Sequence, residues 1–222
     1  MYLSRVMLDV RRRETIRALA SPQVMHGAVE SCFPWDVTSG EARKRVLWRT
    51  DYVGDRCYLL LLSEEQPNLA HLAEQFGYPD LHPQGETKPY APLLERLQNG
   101  QRWQFRLRAN PVHSSPRETH ERTGRGKVYA HVTREQQLLW LLNRAEKLGF
   151  ALEPQEFTVT HTEWKRFHKS SHDDQQVTLR TATYEGVLTV TDAERFRQTL
   201  TSGIGRAKAY GCGLMTIIPY RG

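Results

Sequence analysis

Read for apolar period and capping residues, the chain passes twice through one order of elements, and that repetition limits the fold more than any other feature. Residues Tyr2–Val10 alternate apolar and polar with the period of two that marks a strand. A helical stretch from about Arg12 to Phe33 follows, with an interruption expected at Ser21-Pro22, where serine suits a cap and proline a first turn. "RVLWRT" (45–50) and "RCYLLLLSE" (56–64) read as two strands turned by "DYVGD", and "PNLAHLAEQFG" (67–77) as a short helix ended by Gly77. The proline-rich "YPDLHPQGETKPYAP" (78–92) reads as a loop or linker.

The second pass begins with "RWQFRLRANPV" (102–112), a strand stopped by Pro111. "SSPRETHERTGRGK" (114–127) is polar and contains glycine, so it reads as a mobile loop. Residues 133–148 carry a capping-box pair, Thr133 and Gln136, and an apolar stripe of Leu138, Leu141, Leu142 and Ala145, which predicts a helix. "EFTVTHTEWKRF" and "QVTLRTATYEGVLTV" follow as strands joined by "HKSSHDD". A helix over 191–202, capped by Thr191 or Asp192, then leads through a glycine-rich stretch into a last strand, "LMTIIP". Two successive β-α-β-β-α-β units predict an α+β protein of two tandem ferredoxin-like domains, residues 1–95 and 101–222.

Charge divides the halves. Residues 1–100 hold 12 Lys and Arg against 13 Asp and Glu, whereas residues 101–222 hold 19 against 12. The net charge of +6 thus lies on the second half, which points to a polyanion partner there. The three cysteines, Cys32, Cys57 and Cys212, are far apart in no C-x-x-C pattern, arguing against a zinc knuckle or a disulfide framework and for a reducing cytoplasm. "YLSRVMLDV" carries two charges and runs into "RRRE", unlike a signal peptide, and no stretch is apolar enough to suggest a membrane partner.

Two places invite chemistry. "GIGRAKAYGCGLMTIIP" (203–219) sets Gly203, Gly205, Gly211 and Gly213 around Arg206 and Lys208. Its order of helix, glycines, strand is the reverse of a dinucleotide fingerprint, and no Gly-Lys-Ser/Thr of a phosphate-binding loop occurs. A helix cap at Gly203 and a turn at Gly205 account for two of the glycines. All four fit a loop packed closely on neighbouring backbone, its amides and two cations open to a phosphate chain. In "QVMHGAVESCF", His26 flanks a stripe of Met25, Val29, Cys32 and Phe33, and is either a core-flanking residue or a proton-handling group.

The glycine stretch, the opening "MYLSRVMLD", the central "FRLRANPV" and "TYEGVLTVTDAERF" together resemble the CasE family, the CRISPR-RNA endoribonucleases of type I-E Cascade within the repeat-associated superfamily. The resemblance spans nearly the whole chain and implies the tandem ferredoxin-like fold. It also implies metal-independent cleavage of the repeat hairpin of CRISPR precursor RNA with no cofactor, retention of the mature CRISPR RNA, and assembly with other Cascade subunits. The family's catalytic histidine lies in a Tyr-x-x-His pattern, which maps it to His26. Gln23 stands where that pattern has tyrosine, leaving the partner of His26 unassigned and a non-catalytic RNA-binding subunit as the alternative.

The implied chemistry is attack of a ribose 2′-hydroxyl on the adjacent phosphate. It needs a base, an acid and positive charge on the phosphate, and imidazole suits either proton task. An A-form stem is read through backbone and ends, so the candidate RNA contacts are cations on hairpins and loops: Arg106, Arg108, Arg122, Arg125, Lys127, Lys165, Arg166, Lys169, Arg206 and Lys208. His161, His168 and His172 fall in a charged hairpin and read as solvated or RNA-facing. Trp140 and Trp164 read as packing residues.

Overall fold

The opening strand, β1 (Tyr2–Leu8), turns Val6 and Leu8 inward and Arg5 outward, as its alternation requires. In a computed structural model of the chain, residues 1–33, 44–81, 83–119, 126–170 and 173–221 are described. The predicted helical stretch is two helices, α1 (Arg13–Ala20) and α2 (Pro22–Glu30), broken where Ser21 takes an extended conformation and Pro22 opens the next turn. β2 (Leu47–Val53) and β3 (Arg56–Ser63) pair antiparallel, followed by α3 (Ala70–Phe76). The unbroken "LLLL" of β3 reflects cover on both faces. Leu59 and Leu61 join a core with Met25, Val29 and Phe76, and Leu62 joins a second, larger core.

The proline-rich segment is more than a linker. It contains β4 (Glu86–Pro89), which pairs antiparallel with β1, and the short α4 (Ala91–Glu95). As an edge strand, β4 tolerates a proline that a central strand would not. The first sheet therefore has the order β2-β3-β1-β4, with all neighbours antiparallel.

The second unit repeats the plan. Its elements are β5 (Arg102–Ala109), an excursion of β6 (Val112–Thr119) and β7 (Gly126–Ala130), α5 (Arg134–Ala145), β8 (Phe150–Ala151), β9 (Phe157–Ser170), β10 (Asp173–Val190), α6 (Ala193–Ser202) and β11 (Met215–Pro219). The excursion corrects the expected mobile loop: its two arms pair as a separate antiparallel ribbon, because "KVYAHV" supplies β-formers that the polar neighbourhood obscures. β11, β5 and β10 lie side by side, and β9 and β8 share the far edge of β10. Both sheets thus show the 4-1-3-2 order of a ferredoxin-like unit. No described helix is long and apolar enough to cross a membrane.

The units are bolted together at β2. Leu47 and Arg49 point to one side of it and Trp48 to the other. Leu47 joins Leu62, Tyr90 and Leu97 in the core that also holds Phe105, Trp140, Tyr184 and Phe196. Arg49 is 1% exposed. It donates from Nη1 to the carbonyls of Arg106 and Leu214, both at 2.8 Å, and from Nη2 to Thr216 Oγ1 at 2.8 Å. Its Nε and Nη2 also donate to the Asp51 carboxylate at 2.8 and 2.6 Å. A planar fork matches that set of acceptors; an ammonium does not. At the end of β1, Asp9 accepts from the Arg11 backbone N–H and from both arms of its guanidinium, which holds the Asp9 carboxyl down to about 2.

Two outcomes follow for stability. Arg49→Met strands Asp51 and two carbonyls at a buried junction and should lower unfolding free energy by about 3–5 kcal/mol in urea titration. Asp9 has a folded-state value below its ordinary one of 3.8, so its contribution is complete above that pH and fades as pH falls toward about 2. Urea midpoints of wild type and Asp9→Asn should accordingly differ at neutral pH and converge between pH 4 and pH 2.

Candidate functional site

Inside the glycine stretch, Lys208–Tyr210 form a 3-10 turn. Ala207 before it has φ 62° and Gly211 after it φ 76°, both left-handed. Gly203, Gly205 and Gly213 also have positive φ. A Cβ on Gly211 would lie 2.7 Å from the Trp48 ring, and one on Gly203 would lie 2.8 Å from Leu47. Trp48 Nε1 in turn donates to the Ala209 carbonyl at 3.2 Å. The glycines thus let the loop lie flat on β2 of the first sheet, a surface the sequence did not single out.

That seat carries Tyr210 to α2. Its ring meets the His26 imidazole edge-on, centroids 6.3 Å apart at 74°. On its other side the same ring packs on Phe167 of β9 at 4.8 Å. Met25, Val29 and Cys32 are buried as the stripe predicts, while His26 stays 29% exposed at the side chain. One turn further along α2, Glu30 places a carboxylate oxygen 3.9 Å from His26 Nδ1, which leaves Nε2 as the nitrogen to meet a substrate. The long hairpin is moored beside them: Lys165 donates to the Leu19 carbonyl at the end of α1 (3.1 Å) and pairs with Glu163 (2.7 Å). His26 therefore sits where α2, the β9–β10 hairpin and the glycine loop converge.

The predicted RNA contacts separate into groups. Arg106 pairs with Glu185 at 2.8 Å and lies 3.7 Å from Asp51, and Arg108 pairs with Glu163 at 2.9 Å. With Lys165 they line a cleft of about 380 Å³ between the units, in which carboxylates already oppose their charge. Lys208 donates to its own loop at the Ser202 carbonyl, 2.7 Å away, and burial beside Arg45 pushes its ammonium down. Arg166 and Lys169 on the outer hairpin, Lys127 on β7, and Arg206 in the loop are exposed. Arg122, Arg125 and His172 lie outside the described residues.

Trp140 is buried, as a packing residue should be, but Trp164 is not: it is 47% exposed, with the Arg180 guanidinium 5.3 Å from its ring centre. In the β9–β10 register it stands directly opposite Arg180. His161 and His168 are exposed as expected. Sequence reading missed Tyr210 beside His26 and Trp164 with Arg180. The first was legible only as an aromatic lodged among glycines, the second as a cross-strand pair once the β9–β10 register is known.

Comparison with known proteins finds similarity along nearly the whole chain. A family model described as "CRISPR associated protein" matches residues 1–219. The CRISPR-associated endoribonuclease Cse3 of Thermus thermophilus is 30% identical over 228 aligned residues, covering 99% of this chain and all of that protein. The CRISPR system Cascade subunit CasE of Escherichia coli K12 is 31% identical over 128 residues, 56% of this chain and 61% of its own. Among solved structures, CRISPR endoribonuclease Cse3 bound to a 19-nucleotide RNA superposes with a TM-score of 0.77 at 28% identity, covering 99% of this chain and all of the other.

Replacing Gly211 by valine forces a side chain into a left-handed residue and into Trp48. We expect a destabilisation exceeding about 1 kcal/mol, seen as a lower melting temperature.

Proposed function

The chain belongs to the CRISPR-associated protein family, and on that footing we propose that it is an endoribonuclease that cuts the repeat hairpin of CRISPR precursor RNA and keeps the product. His26 is its proton-handling residue. The observation that carries this reading is the placement of that one partly exposed imidazole where the first unit meets the hairpin and glycine loop of the basic second unit.

The 2′-oxygen of the substrate forms a bond to the adjacent phosphorus as the bond to the 5′-oxygen breaks. One proton leaves the 2′-hydroxyl, one is delivered to the 5′-oxygen, and the products are a 2′,3′-cyclic phosphate and a 5′-hydroxyl. Because the nucleophile is already part of the RNA, no metal-bound water is needed, and the reaction is proposed to run without metal. His26, its Nδ1 turned toward Glu30, takes one of the two proton transfers through Nε2. Arg166, Lys169 and Arg206 supply the exposed charge for the RNA backbone. Arg106, Arg108 and Lys165, each already paired with Glu185 or Glu163 on their own sheet, are given the smaller share of RNA contact in this reading.

In this reading residues 1–95 deliver the histidine, and residues 101–222 present the hairpin and loop that hold the stem. The retained RNA then accompanies the chain into a complex with further Cascade subunits, the assembly named for the Escherichia coli relative, and the free cysteines suit a reducing cytoplasm.

The test is single-turnover cleavage of a synthetic hairpin with the CRISPR repeat encoded beside the gene. His26→Ala should slow cutting by about 10²–10⁴ while RNA binding persists, and chelator should leave the wild-type rate unchanged. Wild type that binds without cutting would make the chain a holding subunit; loss of cutting with chelator would remove the metal-free route.

A further inference from the structure

The residue facing His26 has a use that nothing above assigns. We propose that Tyr210 is a second catalytic residue, its hydroxyl donating a hydrogen bond to the scissile phosphate as charge builds there; this rests on His26 being the proton-handling group.

Four observations converge on it. Tyr210 is the one tyrosine whose ring meets His26 among the described residues. Its two aromatic contacts are unequal. Phe167 grips it at 4.8 Å, whereas the His26 side, at 6.3 Å, is at the long end of an edge-to-face contact. The ring is therefore fixed from behind and loosely met in front, the arrangement expected where something else is to enter.

The hydroxyl has no hydrogen bond among the described residues, although the ring is partly buried. Packing on Phe167 needs a ring, and phenylalanine would supply it; among the described residues the oxygen has no partner to account for it. A phenol is a donor that can meet a phosphate oxygen without bringing in a further formal charge.

The backbone is also built around this position at some cost. Ala207 is the one non-glycine residue with positive φ among those described, and it opens the turn that Tyr210 closes. Gly211, on the other side, is left-handed and pressed on Trp48. A strained residue of this kind persists only where its surroundings over-determine it, and such residues gather at functional positions. Here the Trp48–Ala209 hydrogen bond and the Gly211 seat both fix the turn.

A donor aimed at developing charge acts on the rate rather than on affinity, because the bond strengthens in the transition state. Y210F keeps the ring and its packing and removes only the oxygen. With the synthetic repeat hairpin, Y210F should cut about 10²–10³-fold more slowly than wild type in single turnover. Its affinity for a hairpin carrying a 2′-deoxyribose at the mapped cut site should stay within about twofold, and its melting temperature should be unchanged. Y210F cutting at the wild-type rate while Y210A is slow would make Tyr210 a packing residue and overturn the proposal, as would a Y210F defect confined to affinity. H26A measured alongside separates the two levels. If H26A is inactive and Y210F normal, only this inference fails; if H26A cuts normally, the reading beneath it fails as well.

Discussion

A guanidinium buried between two sheets sets the terms for the rest of this molecule. Taking a charged group out of water costs several kcal/mol unless its donors are met, so Arg49 tolerates few positions of the second unit relative to the first. Its acceptors come from three strands: the Arg106 carbonyl on β5, Leu214 and Thr216 at the start of β11, and Asp51 on its own strand. A shift of about an ångström would break several of these bonds together. The neighbouring side chains on β2 inherit that precision, Leu47 under Gly203 and Trp48 under Gly211 and Ala209. One strand thereby aligns a core, a salt bridge and the glycine loop.

The site is composite in consequence. Neither unit holds it alone: the helix with His26 belongs to the first, and the hairpin with Phe167 and the loop with Tyr210 belong to the second. Glycine serves here less as a flexible residue than as a thin one. It lowers the loop onto Trp48 until the next aromatic along the chain comes to lie beside the imidazole.

Electrostatics sort the basic residues by environment rather than by count. A cation paired with a carboxylate on its own sheet is partly spoken for, as with Arg108 and Glu163, and releasing it to RNA would strand its partner. Among the described residues, no ion pair is found for the exposed Arg166, Lys169 and Arg206 of the outer hairpin and loop. Trp164 under Arg180 shows the same logic for aromatics: an exposed ring on the hairpin is partnered by a cation across the strands rather than by a core.

Local chemistry was readable from the chain by itself. The capping box at Thr133 and Gln136, the break at Ser21-Pro22, the Asp192 cap and the alternation of β1 are all decided within a few residues, and the structure has each of them. So was most of the doubled ferredoxin-like order, five of six elements in the first unit and all six in the second, because each period of apolar residues reports its own element. The edge strand β4 was hidden, since its proline and turn residues look like a linker until β1 is there to pair with them. Which cations are neutralised, what the glycines press against, and which aromatic faces His26 were decided only by tertiary structure. These depend on residues such as Trp48 and Ala209, or His26 and Tyr210, that are distant in the chain and are brought together by burial of one arginine and two apolar cores. No local pattern encodes that juxtaposition.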